Sequence, residues 1–288
     1  MLKLGMDILV NSLYEVLMLF PYLFFTYLLM EYLEHKVSRK TTAYVIKAKQ
    51  YGPVVGAILG LVPQCGFSVV ASNLYATGLI TLGTMLAVFL STSDEMLPIL
   101  IYGGVGGSLI VKIITIKLIF SMIVGFLIDS YLPESFIGYK KTNIKAFCQQ
   151  EKCKCDEKNE NIYKSAYKHT EKISLFILIF ALIINTIFAL GGEYYVQNLF
   201  ANYPILSKFV AAIFGLIPSC YPSVLMSQLF LENIISISTL ITCSLSNAGV
   251  GLLVLYRVNT NKKQTLKIIS LIFGVSVLFG LLSELFLQ

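Results

Sequence analysis

A segment of this chain is written twice. Residues 55–97 and 210–252 align at a constant offset of 155 without a gap, and 16 of the 43 aligned positions are identical. The match peaks where Gly60-Leu61-Val62-Pro63-Gln64-Cys65-Gly66-Phe67-Ser68-Val69 meets Gly215-Leu216-Ile217-Pro218-Ser219-Cys220-Tyr221-Pro222-Ser223-Val224. Each copy interrupts an apolar stretch with helix breakers and small polar residues. Two broken hydrophobic segments at corresponding places in two halves are a strong sequence pointer to the binding site of a secondary transporter.

The surroundings of the repeat are those of a membrane protein. The chain is 56% hydrophobic and 13% charged, against about 25% charged in soluble domains. Its 288 residues leave no room for a large soluble domain. Apolar runs of spanning length occur at 7–33, 80–102, 107–132, 170–190, 234–256 and 266–287. The first reads as a retained helix rather than a cleavable signal, because Asp7 and Glu15 lie inside it. The net charge of +6 is no nucleic-acid signature. The basic residues cluster between apolar segments, as the positive-inside rule demands. Six cysteines in such a chain point to reduced thiols rather than a disulfide framework.

Charge also constrains the topology. The segment 34–50 holds Lys36, Arg39, Lys40, Lys47 and Lys49, segment 133–172 holds nine Lys, and 257–267 holds Arg257, Lys262, Lys263 and Lys267. All three belong on the cytoplasmic side. If 51–78 crossed once, the nine Lys would fall on the wrong side. A re-entrant hairpin that enters and leaves on one face removes the conflict. Its first arm, 51–63, would be about 20 Å of helix at ~1.5 Å per residue, past the middle of a hydrocarbon core about 30 Å thick. The alternative is a pair of Pro-kinked ordinary helices. With hairpins, each half has three crossings and one hairpin. An odd number of crossings makes the repeat inverted, with both tips near the midplane.

Three groups of residues could carry chemistry. The tips contribute Pro63, Gln64, Cys65, Ser68, Pro218, Cys220 and Ser223. The prolines leave carbonyls unpaired, and Ser68 and Ser223 could cap the outgoing arms. The thiols of Cys65 and Cys220 favour soft ions; the competing reading makes each Cys simply a small residue suited to a tight bend. About 25 residues further on, Ser91-Thr92-Ser93-Asp94-Glu95 aligns with Ser246-Asn247-Ala248-Gly249-Val250, a polar patch in the middle of the next spanning segment. Intramembrane carboxylates are costly and functional by default, and oxygen ligands of this kind suit Mn²⁺. The competing reading pairs Asp94 with Lys112 or Lys117 as structural glue. The third group is Cys148, Cys153, Cys155 and His169 in the Lys-rich centre, where a solvated linker competes with a metal-handling loop.

Four stretches resemble the ten-helix heavy-metal exporters, whose members are also called arsenic efflux proteins or manganese transporters. They are Phe24-Phe25-Thr26-Tyr27-Leu28-Leu29-Met30-Glu31-Tyr32-Leu33-Glu34-His35-Lys36, the Pro63-Gln64-Cys65-Gly66 tip, the Cys-rich centre running into Lys164-Ser165-Ala166-Tyr167-Lys168-His169-Thr170, and Pro218-Ser219-Cys220. The resemblance implies metal or metalloid export. Members often carry a His-rich central loop, whereas this one is richer in Lys.

These readings predict an all-α polytopic membrane protein, an inverted repeat of two five-element halves, each with a re-entrant or broken-helix hairpin. The first membrane repeat is 1–132, a cytoplasmic linker 133–169 and the second repeat 170–288. The expected activity is secondary export of a metal or metalloid ion across the plasma membrane, coupled to a proton or another cation, with no cofactor, no nucleic acid and no enzymatic step. The expected substrate-binding residues are Pro63, Gln64, Cys65, Ser68, Ser91, Asp94, Glu95, Pro218, Cys220, Ser223, Ser246 and Asn247. Of these, Cys65, Cys220, Asp94 and Glu95 would meet the ion directly, with Cys153 and Cys155 as weaker candidates in the linker. The alternatives are a small-anion transporter using helix N-termini at the same tips and, further off, an intramembrane enzyme.

Overall fold

A computed structural model of the chain describes residues 2–36, 51–62, 65–93, 95–132, 162–187, 200, 204–259 and 261–287. Among them there is no strand. In the first half lie α1 (Leu2–Lys36), α2 (Gly52–Gly60), α3 (Gly66–Ala76), α4 (Leu82–Ser91), α5 (Met96–Tyr102) and α6 (Gly107–Tyr131). In the second lie α7 (Ile162–Ile187), α8 (Pro204–Gly215), α9 (Tyr221–Leu231), α10 (Ile237–Ser246), α11 (Val250–Val258) and α12 (Lys262–Leu287). Counting α4–α5 and α10–α11 as two broken spans gives ten helical elements, five per half.

The offset of 155 that relates the sequences also relates the helix ends. α3 and α9 correspond at both termini, as do α4 and α10, while α2 and α8 end together at Gly60 and Gly215. The reason is local. Thr81 and Ser236 cap α4 and α10 alike, accepting the N–H of Thr84 at 3.1 Å and of Thr239 at 3.3 Å. A hydroxyl at this position meets an otherwise orphaned donor of the first turn. Pro53 and Pro222 sit in the first turns of α2 and α9, where a missing N–H is harmless.

Packing follows the same correspondence. α2 lies against α4, and α8 against α10; α4 in turn packs on α6, and α10 on α12. α2 approaches α4 through Gly52, Gly56 and Gly60, one glycine per turn, over Thr84, Val88 and Ser91. The second half repeats this with Ser207, Ala211 and Gly215, Ser207 sharing a hydrogen bond with Thr239. Small residues four apart let helix backbones come close, a packing mode suited to membranes where lipid gives helices no hydrophobic push together. Between the halves, α1 packs on α7, α3 on α11 and α9 on α5. Asn185 donates to Ser12 at 2.9 Å, and the Phe20 and Tyr167 rings lie 6.0 Å apart. Advancing along α1 therefore means retreating along α7, so the two run antiparallel.

The broken spans occupy the centre and the continuous ones the periphery. Gly83 through Ser91 and Ser238 through Ser246 are buried throughout. α6 and α12 instead expose Val111, Ile119, Ile123, Leu127, Leu278 and Leu282. Among the described residues, five segments are long and apolar enough to cross a bilayer: Leu82–Tyr102, Gly107–Tyr131, Ala166–Thr186, Ile237–Val258 and Lys262–Ser283. Continuous helices with apolar outer faces can meet lipid. Interrupted backbone cannot, and here the interruptions are covered by protein.

A core at the breaks

The two polar patches fall where the backbone leaves the helix. α4 ends at Ser91 and α5 begins at Met96; α10 ends at Ser246 and α11 begins at Val250. Ser91, Thr92, Ser93, Ser246 and Asn247 are all buried. Each terminal serine folds back on its own helix, Ser91 donating to the Val88 carbonyl at 3.0 Å and Ser246 to the Cys243 carbonyl at 2.9 Å. Each also stands against the last glycine of a preceding helix, Ser91 against Gly60 of α2 and Ser246 against Gly215 of α8. Thr92 donates to the Val88 carbonyl at 2.7 Å and Ser93 to the Ser91 carbonyl at 3.2 Å. Glu95 is exposed just before α5. Pro63, Gln64, Asp94, Cys153 and Cys155 lie outside the described residues.

At the first tip, half-buried Cys65 immediately precedes α3. Ser68 does not cap that helix. Cys65 already has helical φ and ψ of −63° and −13°, so the hydroxyl finds the Cys65 carbonyl behind it, at 2.7 Å. Gly66 faces the Tyr22 ring, which brings the tip onto α1. The following turn reaches the other half: Ser72 donates to the Gly251 carbonyl at 2.6 Å, and Gly251 approaches so closely that a Cβ there would lie 2.7 Å from that of Ser68. α3 thus rests on α11, the helix that starts after the second break.

The second tip is arranged differently. Cys220 is half-buried ahead of α9, Pro218 is half-buried, and buried Ser219 accepts the Tyr221 N–H at 3.0 Å. Ser223 accepts from Asn247 Nδ2, whose own Oδ1 accepts the Gly249 N–H at 2.9 Å. Asn247 therefore ties tip and break within one half. Cys65 packs with the core formed by α1, α3, α7 and α11, while Leu216, Ile217 and Tyr221 pack with the core around α4 and α10. Among the described residues, no three His, Cys, Asp or Glu side chains stand together as a metal site.

What links the breaks to each other is Lys117, in the middle of α6 and fully buried. Its ammonium donates to the Thr92 carbonyl, to Ser244 Oγ at 2.5 Å and to the Ser244 carbonyl at 3.3 Å. One side chain therefore spans the C-terminal ends of α4 and α10, where carbonyls lack helical partners and the helix dipole is negative. The sequence marks Lys117 as a charge inside an apolar run and as a candidate partner of Asp94, without showing its backbone acceptors. Its acceptors come from segments 25 and 127 residues away. A carboxylate also plays a structural part: Asp129, near the end of α6, accepts the Gly83 N–H at 2.8 Å and the Thr81 hydroxyl at 2.6 Å. It was not among the expected functional residues.

No curated protein and no solved structure matches the chain. One family does, over residues 6–195 and 149–261, and its description is "Putative, 10TM heavy-metal exporter". Ten helical elements, central broken spans and this coverage agree: the chain belongs to that exporter family, a transporter family rather than an enzyme family.

Proposed function

We propose that this protein is a secondary transporter that exports a metal or metalloid ion from the cytoplasm of its cell, through a site between two re-entrant hairpins and two broken spans of an inverted repeat. The observation that carries the reading is the pair of buried breaks, one in each copy of the repeat, standing together at the centre of a membrane exporter. Antiparallel α1 and α7 support the inversion, since a two-fold axis in the membrane plane sets equivalent helices antiparallel. The exchange of contacts, α3 on α11 and α9 on α5, is what such an axis produces. The site comprises Pro63, Gln64, Cys65, Ser68, Ser91, Asp94, Glu95, Pro218, Cys220, Ser223, Ser246 and Asn247, with Asp94 balancing the charge of the ion or carrying a coupling proton. The central linker is cytoplasmic, as the eight Lys of 133–169 require.

Soft and hard versions of this site separate by mutation. With thiol ligands, Cys65→Ser combined with Cys220→Ser abolishes resistance of cells to arsenite and Cd²⁺ and leaves the protein folded. With oxygen ligands, Asp94→Asn abolishes resistance to Mn²⁺ and the double Ser variant is mild. Wild-type resistance in all of these variants would remove the site.

A further inference from the structure

We propose that Lys117 is an internal cation: its ammonium occupies a cradle for a hard cation at the junction of the two breaks, and an ion that enters the cradle does so by displacing it. The inference rests on reading the breaks as the transport site. Three observations carry it. Three acceptors among the described residues are oxygens: the Thr92 carbonyl, the Ser244 carbonyl and Ser244 Oγ. That donor set suits a hard monovalent or divalent cation and not a soft one. Two of the three are backbone carbonyls at the C-terminal ends of helices interrupted in mid-span, the arrangement by which unwound spans coordinate cations in transporters. Finally, the cradle draws on both copies of the repeat, so its geometry changes when one half moves against the other.

The sequence shows the position to be a departure from the repeat. At the offset of 155 the counterpart of Lys117 is Ile272, a buried core residue of α12. The rest of α6 around Lys117 is apolar at Ile113, Ile114, Leu118 and Phe120. A lysine in such a place is expensive at membrane depth, yet three leucine-like neighbours show that the helix could have been built without it. A tethered ammonium holds the cradle when no ion is bound, and its stem lets it swing aside without leaving the protein.

The test uses the purified full-length protein in detergent, with thermal stabilisation titrated by Na⁺, Mn²⁺ and, as a soft control, Cd²⁺. Lys117→Gln removes the charge and should lower the half-saturating concentration of Na⁺ or of Mn²⁺ at least tenfold, leaving Cd²⁺ unchanged. Lys117→Arg keeps the charge and should stay near wild type. A response to Na⁺ alone identifies a driving ion, and one to Mn²⁺ a cargo. Unchanged half-saturation for both in Lys117→Gln, with or without loss of stability, overturns the proposal and leaves Lys117 as structural glue. Should Lys117→Gln not fold, the wild type decides: acylation of Lys117 by an amine reagent, read by mass spectrometry, should rise several-fold with Na⁺ or Mn²⁺, and no rise overturns it. Export by inside-out vesicles is measured separately. Cation competition without export of any ion would remove the exporter reading while leaving the internal cation.

Discussion

Gly60 is the position where one methyl group tests the packing of α2 on α4. A Cβ on Gly60 would lie 2.5 Å from the Val88 carbonyl oxygen and would run into Ser91 Oγ. The carbonyl belongs to the backbone of α4, which is buried throughout its length and cannot retreat alone. Overpacking of this kind costs ~1–3 kcal/mol, against a gain of up to ~1 kcal/mol from replacing Gly by Ala within a helix. Gly60→Ala should therefore lower the thermal unfolding midpoint of the detergent-purified protein. Gly274→Ala is the control, because a Cβ there meets nothing within 4 Å; it should match or exceed wild type. Gly60→Ala combined with Ser91→Ala should recover part of the loss and no more, since the hydroxyl leaves but the Val88 carbonyl stays. Gly215→Ala should behave like Gly60→Ala, its obstacles being the Cys243 carbonyl and Ser246 Oγ. A Gly60→Ala protein as stable as Gly274→Ala would refute the close approach of α2 and α4, and with it the account of how the first tip is held.

Asp129→Ala should destabilise the protein by ~1–2 kcal/mol in the same thermal assay, because it strips the Gly83 N–H and the Thr81 hydroxyl of their acceptor at the start of α4. Gly249→Ala should destabilise it as well, since φ of 52° with ψ of −145° is a backbone region that side chains rarely enter; unchanged melting would contradict that backbone. An impermeant thiol reagent on intact cells should leave Cys153 unmodified, as a cytoplasmic linker requires, and efficient labelling would remove the topology.

The repeat made much of the fold legible. Its offset carries over to helix ends within one residue for α3, α4, α9 and α10, because the punctuating residues were copied with it: Thr81 and Ser236 at the starts, Ser91 and Ser246 at the ends. The breaks were legible for the same reason, as polar residues in the middle of apolar runs. The caps of the hairpin arms were misread. A serine three residues into a helix looks like a donor acceptor pair for the first turn, but once Cys65 is helical the nearest partner of Ser68 is a carbonyl. The glycines at 52, 56 and 60 carried a readable signal, one small residue per turn, that hydropathy hides because glycine counts as neither polar nor strongly apolar. Lys117 and Asp129 could be seen as charges but not placed. What they bind is backbone, and backbone acceptors carry no mark in the sequence.

The two halves share a backbone plan and differ in how each break is closed. In the second, Asn247 closes it from within, joining Ser223 of its own hairpin to the Gly249 N–H, and the chain takes a positive φ at Gly249 to do so. In the first, the aligned residues are Thr92 and Asp94, and the Thr92 carbonyl is met from outside by Lys117. An amide supplied by the break itself moves with it. An ammonium supplied by another helix stays with that helix, so motion of α4 or α10 relative to α6 makes or breaks its contacts. Because α4 and α6 belong to one half and pack together, rocking of the halves would keep the Lys117–Thr92 contact and make or break the contacts of Lys117 with Ser244. The half with the external closure is also the half whose polar patch carries Asp94 in the sequence. In the proposed transporter both the charge that an ion must replace and the charge that must balance it belong to the first copy, while the second supplies Ser244 as the wall of the cradle that moves against them.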